Sequence, residues 1–322
     1  MKRFKSFLAE QMEEFIEYRF QLGYSNTSMI YCLQLLDRYV LEKQVTWTSL
    51  DPFFFIRFRA DLDLENRSIN MSFRMIKIFF NYLIRKDLIL KNPLQEITEL
   101  QENQVIPFIF SPEETDLFLK AVIKLMRTTE KFYLSDFSAY IAFLLMARCG
   151  LRTSEPLNLL KTHYNPEERT IYIEKTKFRK DRLIPIPKTV AHEINNLLKV
   201  RRLFPDDSHF LLVKVKGDKL VRMFINRRFK KALTFINLDQ PRKIIGATNF
   251  SKPSHHSLRH SFAVNTLKRI RQQGKSCQNA LPVLASYMGH SKYKYTIYYL
   301  KVLDAEHRRQ MLDFSIRRSE DV

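Results

Sequence analysis

Between residues 69 and 83 apolar side chains recur at three- and four-residue intervals. Ile69, Phe73, Ile76, Phe80 and Leu83 form one stripe, as in a helix buried along one face. Arg67, Asn70, Arg74, Lys77 and Asn81 repeat at the same interval on another face. Three earlier segments also read as helices. "KSFLAEQMEEFIEYRFQLG" closes on Gly23, suited to the position just past a helix end. "SNTSMIYCLQLLDRYVLEK" opens at Ser25 or Asn26, either of which can cap first-turn amides. "DPFFFIRFRADL" has Asp51 as cap and Pro52 at the first helical position. Residues 1–100 therefore predict a four-helix domain.

The stretch "KNPLQEITELQENQVIPFIF" is polar, carries two prolines and has no period. It predicts a linker over 101–110, ending near Ser111. There Ser111, Pro112 and Glu114 supply cap, first helical position and capping-box partner. Helices are predicted across 112–149. The period then drops to two, with Ile171 and Ile173 alternating with Tyr172 and Glu174. A return strand from Leu183 to Pro187 makes a hairpin with Lys177, Arg179 and Lys180 at or near its turn. "SHFLLVKVKGDKL" offers one more strand. From Val221 the pattern is helical again, interrupted by a loop, "IGATNFSKPSHH". The second domain, 111–303, is thus expected to be helical with a small antiparallel sheet. In the tail, 304–322, Asp304 can cap a short helix with Met311, Leu312 and Ile316 on its apolar face.

Composition narrows the function. The net charge is +20, yet residues 1–104 hold 14 Lys and Arg against 14 Asp and Glu. The whole excess lies in the remainder, and a basic domain of that kind suits a polyanion, most often nucleic acid. The six glycines are too scattered for a phosphate-cradling loop. Three separated cysteines build neither a disulfide framework nor a thiolate zinc site. The longest apolar run, "YIAFLLMA", is core-sized. With an N-terminus that lacks a signal peptide's apolar region, the chain is expected in a reducing cytoplasm, associated with the nucleoid and not with membrane.

Four clusters could carry chemistry. They are Arg152 and Glu155 after the break at Gly150, Lys177 in the hairpin, His256 and Arg259 in "HHSLRH", and His290 followed nine residues later by Tyr299. Each has a plain structural alternative. Arg152 can pair with Glu155, the histidines of "HHSLRH" can face solvent, His290 can be a satisfied core histidine, and tyrosines can pack. A zinc site from His256, His260 and His290 would lack a neighbouring catalytic glutamate or cysteine. Likewise Arg67, Asn70, Arg74 and Lys77 could follow a DNA groove or form a solvated face.

Taken in order, "GLRTSE", "TKFRKDRLIPI", "HSLRH", "MGHS" and "TIYY" resemble the tyrosine recombinases, the phage-type integrases. Residues 1–100 are similar to that family's core-binding domain, and the resemblance covers nearly the whole chain. Pro156 stands where an aliphatic residue usually follows the SE pair, and Cys149 is a smaller departure. Neither removes a reacting group.

The resemblance implies two mainly helical domains forming a clamp around duplex DNA, without the extra arm-binding domain of some phage integrases. It implies strand cutting and rejoining through a 3′-phosphotyrosyl bond, with no cofactor and no metal. Arg152 and Arg259 would hold the phosphate, and Lys177 would protonate the leaving 5′-oxygen, flanked by Arg179 and Lys180 on the DNA. His256 and His290 would donate to the phosphate and help organise Tyr299, with Glu155 orienting an arginine or His256. Tyr299 would be the nucleophile. Tyr298, turned roughly 100° around the helix, is the alternative if the register slips, and Tyr293 and Tyr295 would pack or flank DNA. The partners implied are double-stranded recombination sites, further copies of the chain in a tetramer on two sites, and accessory or sister recombinases. The role expected is a mobile-element integrase or transposase. A chromosome-dimer resolvase, a type IB topoisomerase-like enzyme and a non-catalytic DNA-binding protein are the alternatives.

Overall fold

The computed structural model describes residues 3–174, 181–204, 207–214, 217–290 and 295–300. The chain divides between Gln104 and Val105 into two compact units. Lys177, Arg179, Lys180, Tyr293 and the tail from 304 lie outside the described residues.

The first unit contains α1 (Ala9–Gln21), α2 (Thr27–Glu42), α3 (Pro52–Asp61) and α4 (Asn66–Arg85). Local chemistry sets their ends. Gly23 takes φ 77°, and the amides of Gly23 and Tyr24 return to the carbonyls of Phe20 and Arg19, closing α1 with a Schellman pair. Asp51 Oδ1 accepts from the Phe54 amide at 2.7 Å. Asn26 precedes α2 but does not cap it with its side chain. That amide turns back to α1, accepting from Arg19 Nε and donating to the Ile16 carbonyl. Phe15, Phe55, Phe58, Phe79 and Phe80 fill the core together with Ile76 and Leu83, while Phe73 is only partly buried against it.

The polar stripe of α4 meets the chain's own residues 92–102. Asn70 is 2% exposed; it donates to the Leu100 carbonyl and Glu102 Oε1 and accepts from the Leu100 amide. This corrects its assignment as a base-contacting residue, because its amide is already occupied. Arg74 pairs with Glu99 and Glu102, and Lys77 donates to the Gln95 carbonyl. Arg67 is exposed.

In the second unit β1 (Gln104–Ile106) leads to α5 (Pro112–Lys124), α6 (Glu130–Cys149) and the short α7 (Ser154–Asn158). Ser111 and Glu114 form the expected capping box. Next come β2 (Tyr164–Asn165), β3 (Thr170–Ile173) and β4 (Arg182–Pro185), one antiparallel sheet in that order. Ile171 pairs with Ile184 in it, and both face the core. Then follow α8 (Lys188–Arg201), α9 (Arg222–Phe235), β5 (Lys243–Ile245), β6 (Thr248–Phe250), α10 (His255–Gln272) and α11 (Cys277–Met288). The expected strand near residue 210 is reduced to isolated bridges, Leu160 to Phe210 and Val213 to Lys219. The expected loop from Ile245 contains β6 and the turn that joins it to β5, a hairpin that pairs with β1 in a second sheet. Its signal is weak because all of β5 is exposed and shows no alternation. By length and composition α6 is apolar enough to cross a membrane, but 83% of that window is buried inside the unit. Its all-round apolarity is that of a central core helix.

Candidate active site

Helix α6 ends at Gly150, whose φ of 62° lies in the left-handed region that side chains with a Cβ disfavour. A Cβ there would also stand 2.4 Å from the Phe262 ring. The turn aims Arg152 across the top of α7. Its Nη1 donates to Glu155 Oε1 at 2.8 Å, its amide to Glu155 Oε2 at 2.8 Å, and its Nη2 to the Gly289 carbonyl at 2.6 Å. A fifth of the side chain, 20%, stays exposed.

Arg259 projects from α10 beneath it and is 2% exposed. It donates to the Gly150 carbonyl at 2.5 Å and to the Met288 carbonyl at 2.8 Å. Burial, and then the Arg152 charge, lower its pKa to about 10, which leaves it protonated near neutrality. Arg182, on β4, forks onto Glu155 and donates through Nε to the Tyr287 carbonyl. All three guanidinium groups are thus bonded to carbonyls at the C-terminal ends of α6 or α11, where the helix dipole favours cations. Burial alone would raise the Glu155 pKa, yet the bonds from Arg182 and the charges of Arg182 and Arg259 bring it below the usual carboxylate value. The sequence expectation that Glu155 orients an arginine is thereby extended to Arg182, not itself a candidate catalytic residue.

Tyr299 is 3% exposed. Its Oη lies 3.1 Å from His260 Nδ1, and its ring stacks on His290 at 6.0 Å and 26°. Burial raises its pKa; the charges of Arg259 and Arg152 and a hydrogen bond from Arg259 oppose the rise. His290 Nδ1 is engaged with Thr296 Oγ1 at 2.7 Å. His256 keeps an exposed edge while the inner side of its ring packs 4.6 Å from His260. Desolvation followed by the Arg259 charge lowers its pKa to about 4, and burial followed by Arg259 and Arg152 depresses that of His290 to about 3. Both are neutral near pH 7. Tyr298 points elsewhere, its hydroxyl donating to the Val105 carbonyl.

Arg152, Glu155, His256, Arg259, His290 and Tyr299 are therefore brought together, while Lys177 lies outside the described residues. His260 belongs with them and was overlooked as a solvent-facing or metal-binding histidine. Its four-residue spacing from His256 puts the two on one helix face, but nothing local showed that Tyr299 would reach that face. Such a cluster, with two guanidiniums beside a tyrosine hydroxyl, can bind a phosphodiester and offer it a nucleophile.

Comparisons with known proteins agree. Residues 117–306 match the model of the phage integrase family. The chain is 28% identical over 314 residues to a tyrosine recombinase, XerA, of Pyrococcus furiosus, covering 97% of this chain and 96% of that protein. Among solved structures its fold is similar to the XerH site-specific recombinase bound to its difH substrate, with a TM-score of 0.67, 18% identity and coverage of 90% and 81% of the two chains. It is also similar to the Tn1549 transposon integrase in complex with a circular intermediate DNA, at a TM-score of 0.65, 18% identity and coverage of 95% and 100%.

Proposed function

The chain belongs to the phage integrase family and is a site-specific DNA recombinase, and from that premise we propose which of its residues cut and rejoin the strand. Tyr299 Oη attacks the scissile phosphorus and forms a 3′-phosphotyrosyl bond, and the bond to the 5′-oxygen breaks. A 5′-hydroxyl from another strand then reverses the step, conserving the bond energy. Arg152 and Arg259 hold the non-bridging oxygens, each guanidinium presenting paired donors. His256 and His290, both neutral, each have one ring nitrogen available as a donor to the phosphate. Lys177 protonates the leaving 5′-oxygen, a role worth about 10²–10⁴-fold, and Arg179 and Lys180 contact the flanking DNA.

One observation carries this reading. Arginines from two separate sequence stretches and the Tyr299 hydroxyl, from a third, converge at the C-terminal ends of α6 and α11. Because Tyr299 is 3% exposed, seating of the DNA has to uncover its hydroxyl.

The finer assignments extend the proposal. Arg67, Arg74 and Lys77 of the first unit contact DNA; for Arg74 and Lys77 this requires exchanging the present partners for phosphate. The chain acts in the cytoplasm on double-stranded sites as a tetramer in which the tail docks on a neighbouring copy. The role proposed is a mobile-element integrase or transposase, with chromosome-dimer resolution as the alternative.

The test is to quench cells making the protein with denaturant and sequence the DNA still covalently attached. Adducts in wild type and Tyr298→Phe but not in Tyr299→Phe are expected. Adducts surviving in Tyr299→Phe would overturn the assignment, and their loss only in Tyr298→Phe would move the nucleophile by one residue.

A further inference from the structure

The Tyr299 hydroxyl has two polar neighbours of opposite character. Arg259 acts on the phenol through its charge and can donate to it but never accept from it. The phenol proton then needs an acceptor, and His260 Nδ1 is at 3.1 Å. The tautomer assigned to His260 on this ground carries its proton on Nε2 and turns the Nδ1 lone pair toward the phenol. The other two histidines are placed differently. His290 meets the Tyr299 ring face-on and has Nδ1 committed to Thr296. His256 meets the edge of His260 rather than the phenol.

We propose that His260 is the general base of the reaction, the group that takes the Tyr299 proton as the hydroxyl attacks. This rests on Tyr299 being the nucleophile. In the forward step the Oη–H bond breaks and the proton passes to His260 Nδ1. The Oη–P bond forms, the P–O5′ bond breaks, and the leaving oxygen takes its proton from Lys177. In the return step the incoming 5′-hydroxyl gives its proton to Lys177, and His260 hands its own back to the departing phenol.

The surroundings suit that task. His256 and Arg259 on α10, His290 beyond α11 and Tyr299 surround the ring. Burial first, then repulsion from the Arg259 charge and from His256 and His290 whenever they are protonated, lower its pKa to about 3. In the DNA-free protein it is therefore neutral and an acceptor. A phosphate seated on Arg152 and Arg259 offsets that positive field, so His260 becomes a stronger base only when substrate is present.

The test compares His260→Asn with wild type on the duplex recovered from wild-type adducts. Asparagine keeps an acceptor near the Nδ1 position but cannot be protonated. DNA affinity should stay within about twofold, while cleavage falls about 10²–10⁴-fold. The residual rate should climb about tenfold per pH unit toward the phenol's pKa, which burial raises above its ordinary value, where wild type is flat. A duplex with sulfur replacing the bridging 5′-oxygen needs no acid for its leaving group. It should restore Lys177→Ala and leave His260→Asn slow. Rescue of His260→Asn by sulfur, or a pH profile matching wild type, would overturn the base role. Adducts formed by Tyr299→Phe in the same assay would instead overturn the nucleophile, so the two failures are distinguishable.

Discussion

Arg182 grips Glu155 through two parallel hydrogen bonds, Nη1 to Oε1 at 3.1 Å and Nη2 to Oε2 at 2.9 Å. Because the same carboxylate also binds Arg152, one buried negative charge serves two partly buried cations. Glu155→Gln should cost about 3 kcal/mol, the usual penalty for leaving buried charge uncompensated. The folded-state pKa of Glu155 is lowered, so its contribution is complete above the unfolded value, about 4.3. It disappears as pH falls through the lower folded value. Thermal melts of wild type and variant should therefore differ at pH 7 and converge in acid. A constant gap would show that the pair is not the source.

Arg259→Lys keeps the charge but cannot serve both the Gly150 and Met288 carbonyls while also presenting two donors to phosphate. Single-turnover cleavage should fall by about a hundredfold or more, equivalent to about 3 kcal/mol of transition-state stabilisation. Near-normal cleavage would remove Arg259 from the reacting groups.

Gly150→Ala brings both a left-handed φ and a clash with Phe262. A loss of about 1–3 kcal/mol is expected in denaturant titrations. Trimming the ring with Phe262→Leu in the same chain should recover only the part due to the clash. Full recovery would mean that the backbone strain is negligible.

In the first unit, stability and DNA contact should separate along a single helix. Asn70→Ala strands the amide and carbonyl of Leu100 and should destabilise by about 1–3 kcal/mol. Arg67→Ala should leave the melt unchanged while lowering the salt slope of DNA binding by about one. An unchanged slope would make Arg67 a solvated cation.

Much of this was legible in the chain itself. Ser111 and Asp51 announce their caps locally, and Ile171, Ile173 and Ile184 show the period of a sheet with one buried face. Four of the five ordered motifs supply side chains that the fold brings together, among them Arg152, Arg259, His290 and Tyr299. Residues whose partners are distant in sequence were harder to read. Asn70 looked like a groove-facing amide because its partner, Leu100, is thirty residues away. Arg182 carries no local sign of its role, since Glu155 and Tyr287 come from other elements. His260 was ambiguous for the same reason, as only the fold brings Tyr299 beside it.

The carbonyls of Tyr287, Met288 and Gly289 receive Arg182, Arg259 and Arg152 in succession, and the same turn launches the chain toward Tyr299. One short piece of backbone therefore sets all three guanidiniums together, including the two proposed to hold the phosphate. A shift of about an ångström at the end of α11 would misplace all of them at once, and a misplacement of that size can cost about a hundredfold in rate. A partner protomer or accessory protein that pulled on this one turn could arm or disarm a copy of the enzyme without touching any reacting side chain.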